Sequence, residues 1–161
     1  MTVHTIDPIY NSDSRILILG SFPSVKSREI GFFYGHPQNR FWCVLAELFS
    51  EEKPETVDDK KTFLLRHRIA LWDVIGSCEI KGSSDISIKN VIPNDISPIL
   101  DASDIKAVFV NGKAAEKLYN KHIFSKTNRP AILLPSTSPA NAAWTKNMLL
   151  REWSLILDYI K

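Results

Sequence analysis

Three segments of the chain combine glycine, aromatic and small polar residues in ways that packing alone does not require. Gly20-Ser21-Phe22-Pro23-Ser24 leaves an apolar run through a glycine, which allows close backbone approach, and a proline, which sets a turn. Its main-chain N–H groups could receive a ligand. A plain strand-to-loop turn is the other reading, because neither GxxxxGK[ST] nor GxGxxG is present.

Phe32, Phe33 and Tyr34 sit together between Gly31 and Gly35. Flat rings on a glycine-hinged loop suit stacking on an extruded nucleobase, although any one of them could serve the core instead. His36-Pro-Gln-Asn39-Arg40-Phe-Trp42 then opens a helical pattern, with Asn39 at a natural N-cap position. Arg40 could meet a phosphate or sit in solvent, and Phe41, Trp42 and Cys43 read as core. The third segment, Leu134-Pro-Ser136-Thr-Ser138-Pro139-Ala140-Asn141-Ala142, places hydroxyl residues between two prolines. It fits a stiff loop offering N–H and O–H groups to phosphates, and equally a Ser/Thr cap leading into the last helix.

Other chemistries lack their residues. Ser136 is in no GxSxG elbow, there is no HExxH or HxE…CxxC, and His4, His36, His67 and His122 are scattered. Two cysteines, Cys43 and Cys78, cannot supply the four ligands of an iron–sulfur cluster or structural zinc. No metal and no cofactor are expected, and both thiols read as reduced and packed.

The elements that must carry these segments follow from periodicity. Arg15–Gly20, Ile105–Val110 and Ala131–Leu134 are short continuous apolar runs, the pattern of buried parallel strands; Ile69–Ile75 is a fourth candidate, ending in a Gly-Ser turn. Helical patterns lie at 40–49, 58–68, 96–102, 113–122 and, as one long helix, 142–160. Strands alternating with helices predict an α/β fold with a four-stranded parallel sheet, covered on both faces by right-handed crossovers. In such sheets ligands bind beyond the carboxyl ends of the strands, so Gly20–Ser24, Gly76–Cys78, Asn111–Lys113 and Pro135–Pro139 are the segments expected to converge.

At 161 residues, with 44% hydrophobic and 24% charged residues, the chain suits one domain, 1–161, with a core at about 15–160. The N-terminus has no apolar core of a secretory signal and no later run approaches a membrane span; a cytoplasmic, nucleoid-associated location without membrane contact is expected. A net charge of +2 does not demand nucleic acid, but Lys113 to Arg129 holds five Lys/Arg against one Glu. Lys113, Lys117 and Lys121 share one helix face, read as solvated before it is read as a DNA track.

Taken together, LILGSFPS, GFFYGHPQNRFW, VFVNGKAA and LPSTSPANA resemble the uracil-DNA glycosylase superfamily, and most closely its hypoxanthine-DNA glycosylase branch. The resemblance implies a three-layer α/β/α sandwich around a central four-stranded parallel sheet. It also implies a monofunctional, monomeric DNA glycosylase that flips a deaminated base out of double-stranded DNA and hydrolyses its N-glycosidic bond. Two positions depart from relatives that process uracil. Phe22 stands where many members have an Asp or Asn that positions the attacking water, and Leu134 stands where they often have His or Asn before Pro-Ser.

Both departures agree with the hypoxanthine branch, by which match Asn39 becomes the catalytic residue. Glycosidic cleavage passes through an oxocarbenium-like sugar, so a carboxamide that orients water suffices without a strong base. By the same match Tyr34 stacks on the flipped base with Phe33 beside it. Gly20, Ser21, Phe22 and Ser136 line the base site, and Ser77 and Cys78 form the wall that reads the base edge. Ser24 and Ser27 meet DNA, and Ser138, Pro139, Ala140 and Asn141 enter the duplex. A mismatch-specific uracil or thymine glycosylase, and a catalytically weak damage-binding module, are the alternatives.

Overall fold

The computed structural model describes residues 1–161. In chain order the strands are β1 (Thr2–Val3), β2 (Ile16–Gly20), β3 (Ile69–Asp73), β4 (Ile75–Glu79), β5 (Lys89–Pro93), β6 (Ala107–Asn111) and β7 (Ala131–Leu134). The helices are α1 (Val25–Ile30), α2 (Phe41–Leu48), α3 (Val57–Arg66), α4 (Ser97–Ala102), α5 (Lys113–His122), α6 (Phe124–Thr127) and α7 (Lys146–Trp153).

The four apolar runs pair as a parallel sheet in the order β3-β2-β6-β7. Alternate residues of β2 face opposite layers. Ile16 and Ile18 pack with Phe41, Phe63, Leu149 and Trp153 of α2, α3 and α7, whereas Leu17 and Leu19 pack with Ile99, Ala115 and Tyr119 of α4 and α5. All four β2 side chains are fully buried, each contributing about 1.5–3 kcal/mol of transfer free energy, which explains why the run is unbroken rather than alternating. The expected three-layer α/β/α sandwich is present.

Three expectations need correction. Ile69–Ile75 is not one strand ending in a turn: the chain leaves the parallel sheet at Asp73, passes Val74, and continues as β4 in a separate antiparallel sheet of order β1-β4-β5. Gly76-Ser-Cys78 is therefore strand, a state that glycine and serine do not advertise. The long helix at 142–160 is α7 followed by a 3₁₀ stretch, Ser154–Asp158. Thr145 starts α7 late by accepting the Met148 N–H on its Oγ1 at 3.2 Å, leaving 139–144 as loop.

The parallel sheet ends on one side in Gly20, Asp73, Asn111 and Leu134, with Gly20 level with Asp73 in the register. Core tryptophans reach from the helices to fix the chain just beyond. Trp42 Nε1 donates to the Phe33 carbonyl at 3.1 Å and Trp153 Nε1 to the Pro135 carbonyl at 2.9 Å. Residues that read as plain core thus set the position of two site loops.

Candidate active site

A cavity of about 360 Å³ opens at these strand ends, a size within the range of sites that enclose small organic molecules. Each parallel strand delivers a wall: Gly20 through Ser24 from β2, Asp73 from β3, Asn111 from β6, and Ser136 through Ala140 from beyond β7. Phe33, Tyr34, His36 and Asn39 close it from the loop before α2.

Asn39 is half-buried on the cavity wall. Its Oδ1 accepts the Phe41 N–H at 2.9 Å, which serves the first turn of α2 from two residues ahead, and its Nδ2 has no protein partner. The N-cap of α2 is Arg40, not Asn39 as expected; Asn39 stands one residue earlier and holds the Phe41 N–H in a local turn while its side chain also faces the cavity. The bond to Phe41 locks the side-chain torsion, and a second lone pair on Oδ1 is left for another donor.

Tyr34 adopts φ 52°, a left-handed conformation that bulky residues rarely take, and its ring stacks on Phe41 with centroids 4.1 Å apart. Its hydroxyl is buried without a hydrogen-bond partner. Burial first, then the nearby Asp73 carboxylate, pushes the phenol pKa far up, so it stays neutral. Phe33 touches the cavity but is 2% exposed and belongs to the core, as Phe32 does.

Ser21 donates to Asp85 Oδ1 at 3.0 Å, tying the first loop to the 81–87 segment. Asp85 is held above the ordinary carboxylate range by partial desolvation at the rim, opposed by the Ser21 hydroxyl and reinforced by Asp73. Asp73, 4% exposed, accepts from His4 Nε2 at 2.8 Å on Oδ2. Gly20 has to be glycine: a Cβ there would lie 2.4 Å from Asp73 Oδ1 and 2.9 Å from Tyr34 Oη. Sequence reading missed Asp73, Asp85 and His4, which sit in a strand, a polar loop and the N-terminal segment with no motif to mark them.

Not every expected site residue reaches the cavity. Cys78 is fully buried against Phe22 and Ile75, and Ser77 pairs with Val3 in the antiparallel sheet; neither lines the cavity, and Asp73 occupies the wall expected of them. Ser27 lines it but is 1% exposed, with Oγ accepting the Gly35 N–H at 2.9 Å, so its hydroxyl braces the loop instead of facing DNA. Ser24 caps α1 by accepting the Ser27 N–H at 3.2 Å. Ser138 and Pro139 are half-buried and Ala140 exposed on the cavity rim, whereas Asn141 stands behind them, donating from Nδ2 to the Ser136 carbonyl.

Arg40 does neither of the things expected of it. Its guanidinium donates to the main-chain carbonyls of Ser138, Asn141 and Trp144, clamping the last loop to α2. Asn111 adds a reciprocal pair with the buried Thr137, Nδ2 to Oγ1 at 3.0 Å and Thr137 N–H to Oδ1 at 3.1 Å.

Residues 8–158 match the family model described as "Uracil DNA glycosylase superfamily". The chain belongs to that superfamily. Membership makes it a DNA glycosylase, a hydrolase of N-glycosidic bonds. This superfamily member is 31% identical over 153 residues to a protein of Methanosarcina acetivorans named hypoxanthine DNA glycosylase, covering 94% of this chain and 95% of that one. A protein of the same name from Methanosarcina barkeri is 35% identical over 108 residues, covering 66% and 68%. The solution NMR structure of a Methanosarcina acetivorans protein, provisionally assigned as a uracil DNA glycosylase, superposes with TM-score 0.81 at 29% identity over 96% of both chains.

Proposed function

We propose that this superfamily member removes hypoxanthine from double-stranded DNA, with Asn39 orienting the water that attacks C1′ of the everted nucleotide. The observation that carries the reading is the placement of Asn39: a carboxamide locked by Phe41, open on its other side to a cavity at the strand ends. A carboxamide is a weak base, but the oxocarbenium-like sugar needs orientation of water more than its deprotonation. The names of the two Methanosarcina relatives support hypoxanthine as the base.

In this reading Tyr34, with one face on Phe41, offers its ring to the flipped base, and Ser136 and the Ser21 and Phe22 main-chain amides face its polar edges. Ser138, Pro139 and Ala140 press into the duplex from the Arg40-clamped loop. The protein acts as a monomer in the cytoplasm, without metal or cofactor.

Duplex oligonucleotides carrying hypoxanthine, uracil, xanthine or ethenocytosine test the assignment. Release of hypoxanthine in preference to the others is expected. Strong uracil release with no hypoxanthine release would overturn it in favour of a mismatch-type uracil glycosylase. An Asn39→Ala variant that excises as well as the wild type would remove Asn39 from the mechanism.

A further inference from the structure

We propose that His4 and Asp73 form a base-reading pair, in which a neutral imidazole holds the carboxylate as a hydrogen-bond acceptor facing the cavity. The site thereby admits bases that carry a ring N–H where the undamaged parent has a lone pair. The inference rests on the glycosylase reading above and adds how a deaminated base is told from its parent.

The protonation pattern follows from the hydrogen bonds. The Ile6 N–H donates to His4 Nδ1 at 3.2 Å, so Nδ1 presents a lone pair and the ring proton is on Nε2. Nε2 lies 2.8 Å from Asp73 Oδ2 and donates to it, with the two side chains 1% and 5% exposed. The imidazole is fixed in an aromatic box, with Phe22, Phe33 and Trp72 at centroid distances of 5.9, 6.2 and 6.2 Å. Trp72 Nε1 also donates to the Ile6 carbonyl at 3.0 Å, anchoring the segment that carries His4.

The other carboxylate oxygen is left for a ligand. Asp73 Oδ1 has no protein partner, and Asp73 lines the cavity where Gly20 lacks a side chain that would otherwise cover Oδ1. A nearly buried carboxylate with one neutral donor is under-solvated, and an N–H from an entering base is the partner it lacks.

Deamination supplies that partner. Converting adenine to hypoxanthine changes N1 from a lone pair to N–H, and converting cytosine to uracil does the same at N3. An acceptor-only carboxylate stabilises the product bases and repels the parents. Guanine also carries an N1–H, so the pair sorts adenine from hypoxanthine and cytosine from uracil but does not sort guanine.

The test uses the full chain and duplexes identical except for one base: hypoxanthine, adenine or unsubstituted purine, with uracil and cytosine as a second set. Single-turnover excision and equilibrium affinity are both measured. In Asp73→Asn, the His4 Nε2–H takes the carboxamide oxygen and turns the NH₂ group to the cavity, replacing an acceptor by a donor. Hypoxanthine excision is expected to fall about 100-fold, and the preference to shift toward purine and adenine. His4→Phe keeps a ring in the box without the donor and narrows the preference; His4→Gln restores an N–H and recovers it.

Wild-type base ratios in Asp73→Asn, or in His4→Phe, would overturn the proposal. Should Asp73→Asn fail to fold by circular dichroism, the Phe and Gln variants of His4 decide the matter. Absence of hypoxanthine release by the wild type counts against the substrate assignment alone, and the uracil-to-cytosine ratios in the same proteins then judge the pair.

Discussion

Arg40 Nη2 donates to the Ser138 carbonyl at 2.9 Å across 98 positions of sequence, so the residue that follows Asn39 also fixes the last cavity loop. One α2 N-terminus thus positions both the carboxamide proposed to orient water and the segment proposed to enter DNA. Arg40→Met removes the donors while keeping much of the apolar stem. Because three main-chain carbonyls lose a charged partner, stability should fall by about 2–4 kcal/mol in denaturant titration, with weaker DNA binding. Unchanged stability would show that the clamp is not needed.

The bond that Asn39 makes to the Phe41 N–H and the water-orienting role proposed for it can be separated by substitution. Asn39→Ala loses both, and excision should fall about 10²- to 10³-fold, with a loss of about 1 kcal/mol from the missing Phe41 N–H bond. Asn39→Asp keeps an acceptor for the Phe41 N–H and should melt within a degree or two of the wild type. Single-turnover kinetics beside thermal melts make the comparison.

Gly20→Ala forces a methyl group 2.4 Å from Asp73 Oδ1 and 2.9 Å from Tyr34 Oη. Overpacking of this kind costs about 1–3 kcal/mol, and it also screens the carboxylate from the cavity. A lowered Tm with loss of hypoxanthine excision is expected; a fully active variant would contradict the close approach.

Asp85 gives a pH-dependent test with a definite sign. Its pKa is raised by folding, so the wild type loses stability as pH rises from the ordinary aspartate value through the folded one, where the fold must carry the charge. Asp85→Asn never ionises. Its Tm should exceed that of the wild type near neutral pH, and the advantage should shrink as pH falls toward the unfolded aspartate range. An advantage that grew on acidification would assign the opposite shift.

Local sequence accounts for much of the scaffold. Ile16–Gly20, Ala107–Asn111 and Ala131–Leu134 read as strands because burial on both faces demands unbroken apolar runs, and their ends point to the site because parallel strands share a carboxyl edge. GHPQNRFW places Asn39 just before the apolar face of α2, although the N-cap itself falls on Arg40. The antiparallel sheet stayed hidden: β5 is Lys-Asn-Val-Ile-Pro, half exposed, and its pairing depends on β4 rather than on any period of its own.

What the sequence by itself determined is the order of the parallel strands' segments along the chain, the two loops that leave β2 and β7, and the candidacy of Asn39. Tertiary structure alone decided that Asp73 and His4 meet across 69 positions, that Cys78 turns away into the core, and that Arg40 serves a loop instead of solvent. Periodicity and capping act over a few residues and are written locally, whereas the partner of a charged side chain is set by which distant segment packing brings beside it.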